Sequence, residues 1–195
     1  MSKQQEFGPV TLVGGLVRLE PLATEHHDDL VAAVRDGELW RLWYTSAPEP
    51  QNMQAEIARR LALEDAGTMI PFAVIDVANG RAVGMTTYMH IDKANRRVEI
   101  GSTWYARSMQ RTGLNTEAKL LLLGHAFDGL GCIAVEFRTH FMNQQSRRAI
   151  ERLGAKLDGI LRSHSFAKDG TGTGHANQYH DRTPHIHERG AIATR

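Results

Sequence analysis

Cysteine is nearly absent from this chain, with Cys132 the one residue of its kind in 195. A single thiol excludes an intrachain disulfide framework, and a reducing cytoplasm is the expected compartment. Long apolar runs are missing too. None approaches the roughly 20 residues that cross a bilayer, and the opening Met1-Ser2-Lys3-Gln4-Gln5-Glu6 lacks the apolar stretch of a secretion signal. Net charge is scarce: 23 Lys and Arg against 22 Asp and Glu leave +1, so no broad basic surface for nucleic acid is implied. No internal repeat, low-complexity linker or internal domain boundary is visible. What remains is 42% hydrophobic, enough for one sizeable core.

The pattern along that core is mixed. Thr11 to Pro21 alternates loosely through Leu12, Val17 and Leu19 and reads as a strand with a Gly14-Gly15 turn inside it. Thr24 serves as N-cap for a helix over Glu25 to Arg35, with Leu30, Val31 and Val34 at helical spacing. Leu39 to Pro50 is an aromatic-rich loop holding Trp40, Trp43 and Tyr44. Asn52 opens a second helix to about Ala66. Pro71 to Val77 and Ala82 to Ile91 pair across Asn79-Gly80, a two-residue hairpin signal, and Arg97 to Tyr105 follows. Asn115 to Leu130 is a helix, Cys132 to Phe141 a buried strand, Gln144 to Leu153 a helix stopped at Gly154, and Lys156 to Phe166 a strand. Three hairpin-linked strands followed by a βαβ unit demand an α/β fold, a mixed and mostly antiparallel sheet with helices on both faces. His26-His27 and Asp28-Asp29 read as a solvated helix face rather than a metal site.

The most informative stretch runs from Glu99 to Ala118. A strand leads through a turn rich in small polar residues into Gly113-Leu114-Asn115-Thr116-Glu117, which opens an apolar helix. Glycine lets backbone N–H groups approach a ligand, and a helix N-terminus adds free donors and a positive dipole end. That geometry cradles a pyrophosphate. With the carboxylate of Glu99 one strand away, it points to an enzyme using a phosphorylated cofactor, bound where the sheet splits beyond Glu99.

Several pieces then match in order and spacing: Leu16-Val17-Arg18-Leu19-Glu20-Pro21-Leu22, Ala82-Val83-Gly84-Met85, Glu99-Ile100-Gly101, Thr112-Gly113-Leu114-Asn115-Thr116-Glu117-Ala118, Leu130-Gly131-Cys132, and Asn143 to Ala155. On these the chain resembles the GNAT (Gcn5-related) N-acetyltransferases, and within them the RimJ/RimL-type branch, over roughly Leu16 to His164. The resemblance implies a sheet splayed at the strand carrying Glu99. It implies acetyl-CoA as cofactor and a primary amine as acceptor, on a protein N-terminus or a small molecule, attacked directly in a ternary complex. Cys132, on the buried strand, is not needed as a nucleophile.

The resemblance also implies site residues. Gln110, Arg111, Thr112, Gly113, Leu114, Asn115 and Thr116 match the pyrophosphate loop, Gln/Arg-x-x-Gly-x-Gly/Ala, in one of two registers. Aligning on Thr116-Glu117-Ala118 makes Gly113 the second glycine and puts Arg111 where the first would stand. Aligning on Gln110 makes Gly113 the first and Asn115 the last small residue. The former keeps the helix start fixed and is preferred; Arg111 then offsets the missing glycine with charge-assisted bonds to phosphate. Glu99 is similar in position to a strand glutamate that acts through water as base, the bland alternative being a sheet-edge carboxylate paired with Arg96, Arg97 or a neighbour. Backbone N–H groups over Ser102, Thr103 and Trp104 would hold the oxyanion. Asn143 and Ser146 match an Asn-x-x-Ser that touches pantetheine, although Asn143 also suits a plain N-cap. Many relatives place a tyrosine acid where this chain has Ile150, which leaves Ser146 as a weak substitute. Trp40, Trp43 and Tyr44 fall at the acceptor pocket of relatives, or pack over the core.

From residue 169 the chain turns polar and histidine-rich, with His175, His180, His185 and His187, and shows no strand periodicity. Relatives continue here with a strand that commonly begins Val-Arg-Asp-Thr. Coded GGT ACG GGA CAC, Gly172-Thr173-Gly174-His175 read one base later yields those residues, so a frame-shifted C-terminus is the hypothesis, with a natural polar tail as the alternative. A single acetyltransferase domain is expected over 1–168, with an open sheet edge that favours a homodimer. The rival function is an acyl-CoA-binding module without turnover.

Overall fold

Apolar alternation, helical stripes and turn residues sort the described residues into eight strands and four main helices. The computed structural model describes residues 6–42, 47–166 and 173–181. In chain order they are β1 (Leu12–Val13), β2 (Val17–Pro21), α1 (His27–Arg35), α2 (Met53–Asp65), β3 (Met69–Asp76), β4 (Arg81–Asp92), β5 (Arg97–Tyr105), α3 (Leu114–Gly124), β6 (Ala134–His140), α4 (Gln144–Arg152), β7 (Lys156–Phe166) and β8 (Thr173–Asp181). They build one sheet in the order β1-β2-β3-β4-β5-β6-β8-β7. Every pairing is antiparallel except β5 with β6, as a crossover through α3 requires.

Side chains alternate across the sheet and feed two cores. One face packs Val17, Leu19, Tyr88, Ile100 and Phe137 with Leu122 and Leu123 of α3 and Ile150 of α4. The other packs Met85, Ala73 and Trp104 with Leu30 and Val34 of α1 and Met53 and Ile57 of α2. Helices therefore cover both faces, as expected. Among the described residues no helix is long and apolar enough to cross a membrane.

Several boundaries differ from the sequence reading. The polar segment expected to stand outside the sheet supplies β8, which pairs with β6 on one side and β7 on the other, so the folded unit does not stop at residue 168. Main-chain bonds on both edges hold a strand whatever its side-chain period. The rest of that segment, 169–172 and 182–195, lies outside the described residues. Cys132 is buried in the loop ahead of β6 rather than on the strand; its amide donates to the Ala126 carbonyl. β3 and β4 are joined by four residues, 77–80, not two, because Gly80 N–H closes back on the Asp76 carbonyl. α1 is preceded by a 3-10 turn over Thr24–His26, so Thr24 is no N-cap; His26 Nδ1 accepts from the Ala23 amide instead. Leu39–Arg41 is helical inside the expected loop, and α3 ends in a π-turn over His125–Gly129.

Candidate active site

The parallel seam between β5 and β6 is short. It pairs Arg97 with Ala134, Val98 with Val135 and Glu99 with Glu136, and stops there, although β5 runs on to Tyr105 and β6 to His140. The strands diverge beyond Glu99, which matches the expected splay and leaves β5 main chain without a partner on that side.

Glu99 sits at the point of divergence, 5% exposed. Gly101 makes this possible: a Cβ there would lie 3.0 Å from Glu99 Oε1 and 2.9 Å from Met89 Sδ, so the carboxyl rests over a residue with no side chain. Its Oε2 is buried without a hydrogen bond, facing Arg138 Nε at 3.4 Å and His90 Nε2 at 3.7 Å. Burial raises its pKa to about 7; the Arg138 charge pulls downward and the neighbouring Glu136 pushes upward. Of the partners expected for Glu99 (Arg96, Arg97 or a neighbour), it is a neighbour, Arg138, that pairs with it. Arg96 donates to the Leu130 and Gly131 carbonyls and Arg97 pairs with Glu136; Arg138, which also holds Glu136, takes their place.

Past Glu99 the β4–β5 register shifts, with Met85 opposite Trp104 and Thr87 opposite Gly101. Ser102 takes φ +49° at this bulge, a left-handed conformation that a serine holds only when its surroundings enforce it. Two buried cations do so from opposite faces. Arg60 of α2, 0% exposed, donates from Nη2 to the Ser102 carbonyl at 3.1 Å and to Ser102 Oγ at 2.9 Å, with Nε bonded to Glu56. Lys119 of α3 donates to Thr103 Oγ1 and Thr86 Oγ1. Gly84 admits the bulged strand, since a Cβ there would stand 2.2 Å from the Trp104 carbonyl oxygen. Trp104 points into the α1/α2 core with a buried, unpartnered Nε1.

The turn into α3 explains the missing glycine. Arg111 has φ +62°, the conformation glycine would supply, whereas Gly113 has φ −67°. The register that puts Arg111 in the first glycine's place therefore fits the backbone. Gln110 Nε2 donates to the Tyr105 carbonyl, and Thr112 Oγ1 donates to the Met109 carbonyl and accepts from the Leu114 amide. The amides of Asn115 and Thr116 lie in the first helical turn, where no preceding helical carbonyl accepts them. Glu117, which closes the motif, turns away from this end. Its carboxylate accepts from the amides of Gly15, Leu16 and Val17, fastening the β1–β2 turn to α3.

Asn143 caps α4: its Oδ1 accepts from the Ser146 amide at 3.0 Å. The plain capping role is real, and it occupies only the carbonyl oxygen. Ile150 is buried in the α3/α4 core. Trp40 is half-buried against the α1/α2 core, while Trp43 and Tyr44 lie outside the described residues. Thus Glu99, the Ser102–Trp104 strand and the α3 start line one edge of the seam, and Asn143 and Ser146 follow the strand that forms the other. Arg138, Glu136, Arg60 and Lys119 were missed. Arg60 and Lys119 could have been flagged as charges inside the apolar stripes of their helices.

Comparison with known proteins agrees with this fold. The GNAT acetyltransferase domain model matches residues 17–156. A Bacillus subtilis (strain 168) protein named for ribosomal N-acetyltransfer, YdaF, is 32% identical over 84 residues, which is 43% of this chain and 45% of that protein. The crystal structure of a GCN5-related N-acetyltransferase from Brucella melitensis superposes with a TM-score of 0.78 at 31% identity, covering 89% of this chain and 79% of that one. RimL, the ribosomal L7/L12 alpha-N-protein acetyltransferase solved with coenzyme A, superposes at 0.76 over 90% of this chain and 99% of its own; at 16% identity this likeness is one of fold. The chain belongs to the GNAT acetyltransferase family, whose members transfer an acetyl group from acetyl-CoA.

Proposed function

We propose that this protein transfers the acetyl group of acetyl-CoA to a primary amine, on a protein N-terminus or a small molecule, by direct attack in a ternary complex. The observation that carries the reading is the seam that opens at Glu99, where a buried carboxylate oxygen has no hydrogen bond. The residues present fit the cofactor. Arg111 and the free amides at the α3 start offer donors to a pyrophosphate, and the β5 main chain over Ser102, Thr103 and Trp104, which has left β6, offers ladder-type bonds to an extended pantetheine amide chain on that side. Asn143 and Ser146 border the opening from the far side.

Glu99 takes the proton of the incoming ammonium, directly or through one water, because a carboxylate with a pKa near 7 both accepts and returns a proton at neutral pH. Amides over Ser102–Trp104 steady the oxyanion; Arg60, bonded to the Ser102 carbonyl, polarises the adjoining peptide toward donation. Trp40 stands at the acceptor side. The reaction belongs to the cytoplasm, where acetyl-CoA is made and used. A homodimer through the open sheet edge and an acceptor of ribosomal origin are compatible with this site.

Calorimetric titration with acetyl-CoA and with desulfo-CoA tests the cofactor half. Low-micromolar binding, about −8 kcal/mol, is expected, and no binding overturns the reading. Amine screening by thiol release tests the other half. Tight binding with no turnover on any amine would instead make the protein an acyl-CoA-binding module.

A further inference from the structure

Among the described residues Lys119 is a cation with no carboxylate paired to it. It lies in the second turn of α3, 7% exposed. Its Nζ donates to Thr103 Oγ1 at 2.7 Å and to Thr86 Oγ1 at 3.1 Å. The two hydroxyls are 2.8 Å apart, and Thr103 Oγ1 reaches the Gly101 carbonyl at 3.2 Å. Apart from the buried Tyr105 hydroxyl, which has no hydrogen bond, the ionisable groups around it are engaged elsewhere. Tyr88 of β4 donates to the Leu122 carbonyl, Glu117 of α3 accepts the 15–17 amides, and His125 lies against the Tyr88 ring. Tyr105 of β5 is buried, and β2 turns Val17 and Leu19 to this side. Burying an ammonium on two neutral hydroxyls is expensive, and such expense concentrates where chemistry needs the group.

Thr103 is the most exposed member of this cluster. Thr86 is fully buried and Thr103 half-buried. Thr103 stands on the part of β5 that has left β6, between Glu99 and the start of α3. A cofactor that reaches from the α3 amides to Glu99 passes it. On the opposite side of the seam α4 contributes the buried Ile150 and no hydroxyl acid at that position.

The geometry points to Lys119, acting through the Thr103 hydroxyl, as the group that serves the sulfur leaving in acetyl transfer. This inference rests on the acetyl-CoA reading above. As the amine nitrogen bonds to the acetyl carbon, the C–S bond breaks and its electron pair stays on sulfur. Thr103 Oγ1 gives its proton to the thiolate and takes one from the Lys119 ammonium, which becomes a neutral amine. The acceptor ammonium sheds two protons, one to Glu99 and one to water. Glu99 then gives its proton to solvent and Lys119 recovers one from it, so each turnover releases one proton net. Burial lowers the Lys119 ammonium to about 7, within range of a thiol at neutral pH. Lys119 is in this sense a positioning residue and Thr103 the contact.

The test needs no acceptor. Coenzyme A bound to the protein is titrated through its thiolate absorbance, with desulfo-CoA as blank, in the natural protein and in Thr103→Ser, Thr103→Val and Lys119→Met. Because a thiolate at Thr103 and the Lys119 ammonium hold each other charged and titrate as a pair, the bound thiol is expected to ionise about one pH unit below the free thiol. Thr103→Ser keeps that shift, and Thr103→Val and Lys119→Met abolish it while still binding desulfo-CoA. A shift that persists in Lys119→Met, or no shift in the natural protein with coenzyme A bound, overturns the proposal. If Lys119→Met does not fold, the isosteric Thr103→Val decides, and a shift retained there overturns it. Failure of the natural protein to bind coenzyme A at all overturns the acetyl-CoA reading, and this inference with it.

Discussion

Burial gives Glu99 a signature in both rate and stability. Acting as base it must be ionised, so the transfer rate should climb with pH through about 7. Glu99→Gln should lower kcat by about 10²–10⁴-fold and erase that climb, read in a pH–rate profile with any amine that supports turnover. A carboxyl whose pKa is 4.5 unfolded and about 7 folded binds more protons in the native state between those values. Its contribution to stability is then present at low pH and lost as pH rises through that window. Glu99→Gln should raise the melting temperature at pH 8 and change it little at pH 4, and equal shifts at both would contradict the burial of the charge. Arg111 invites a second measurement. Replacing it with Gly relieves a left-handed backbone, worth about 1 kcal/mol, so Arg111→Gly should melt slightly higher. If its guanidinium holds phosphate, coenzyme A affinity should fall all the same. At this scale the sequence located Glu99 and the α3 turn because their spacing is local. It hid Arg138 and Glu136, since a partner across a parallel seam leaves no spacing to read.

Elements were legible where a period repeats. β5 and β7 stand where alternation put them, and α2 and α4 lie within a residue or two of their stripes and caps. The bulge at Ser102 was not legible, because a register shift belongs to two strands and to the side chains braced against it from α2 and α3. Nor was β8, whose polar residues are held by neighbours on both edges. The α4 cap offers a test at this scale. Asn143→Ala should cost about 1 kcal/mol of stability, seen in chemical denaturation. If Asn143 also meets the pantetheine, acetyl-CoA binding should weaken further than Ser146→Ala weakens it.

The whole sheet depends on its late strand. β7 pairs only with β8 in the strand order, and Tyr179 of β8, fully buried, bonds through its hydroxyl to Arg147 and Glu151 of α4. Ending the chain after Phe166 should therefore abolish a cooperative melt, because β7 loses its one neighbour and β6 one of its two. The proposal that the coding frame shifts near Gly172 is checked by sequencing the gene: a neighbouring frame that opens Val-Arg-Asp-Thr and continues as an apolar strand supports it, and no such frame overturns it. Glu117 has a different reach, joining three amides of the first hairpin to a helix about a hundred residues later in the chain. The hairpin's exchange with heavy water is thereby tied to the order of the α3 start. Gly15, Leu16 and Val17 should become slower-exchanging amides when coenzyme A binds, so a segment distant in the chain from the loop would act as an intrinsic reporter of its occupancy.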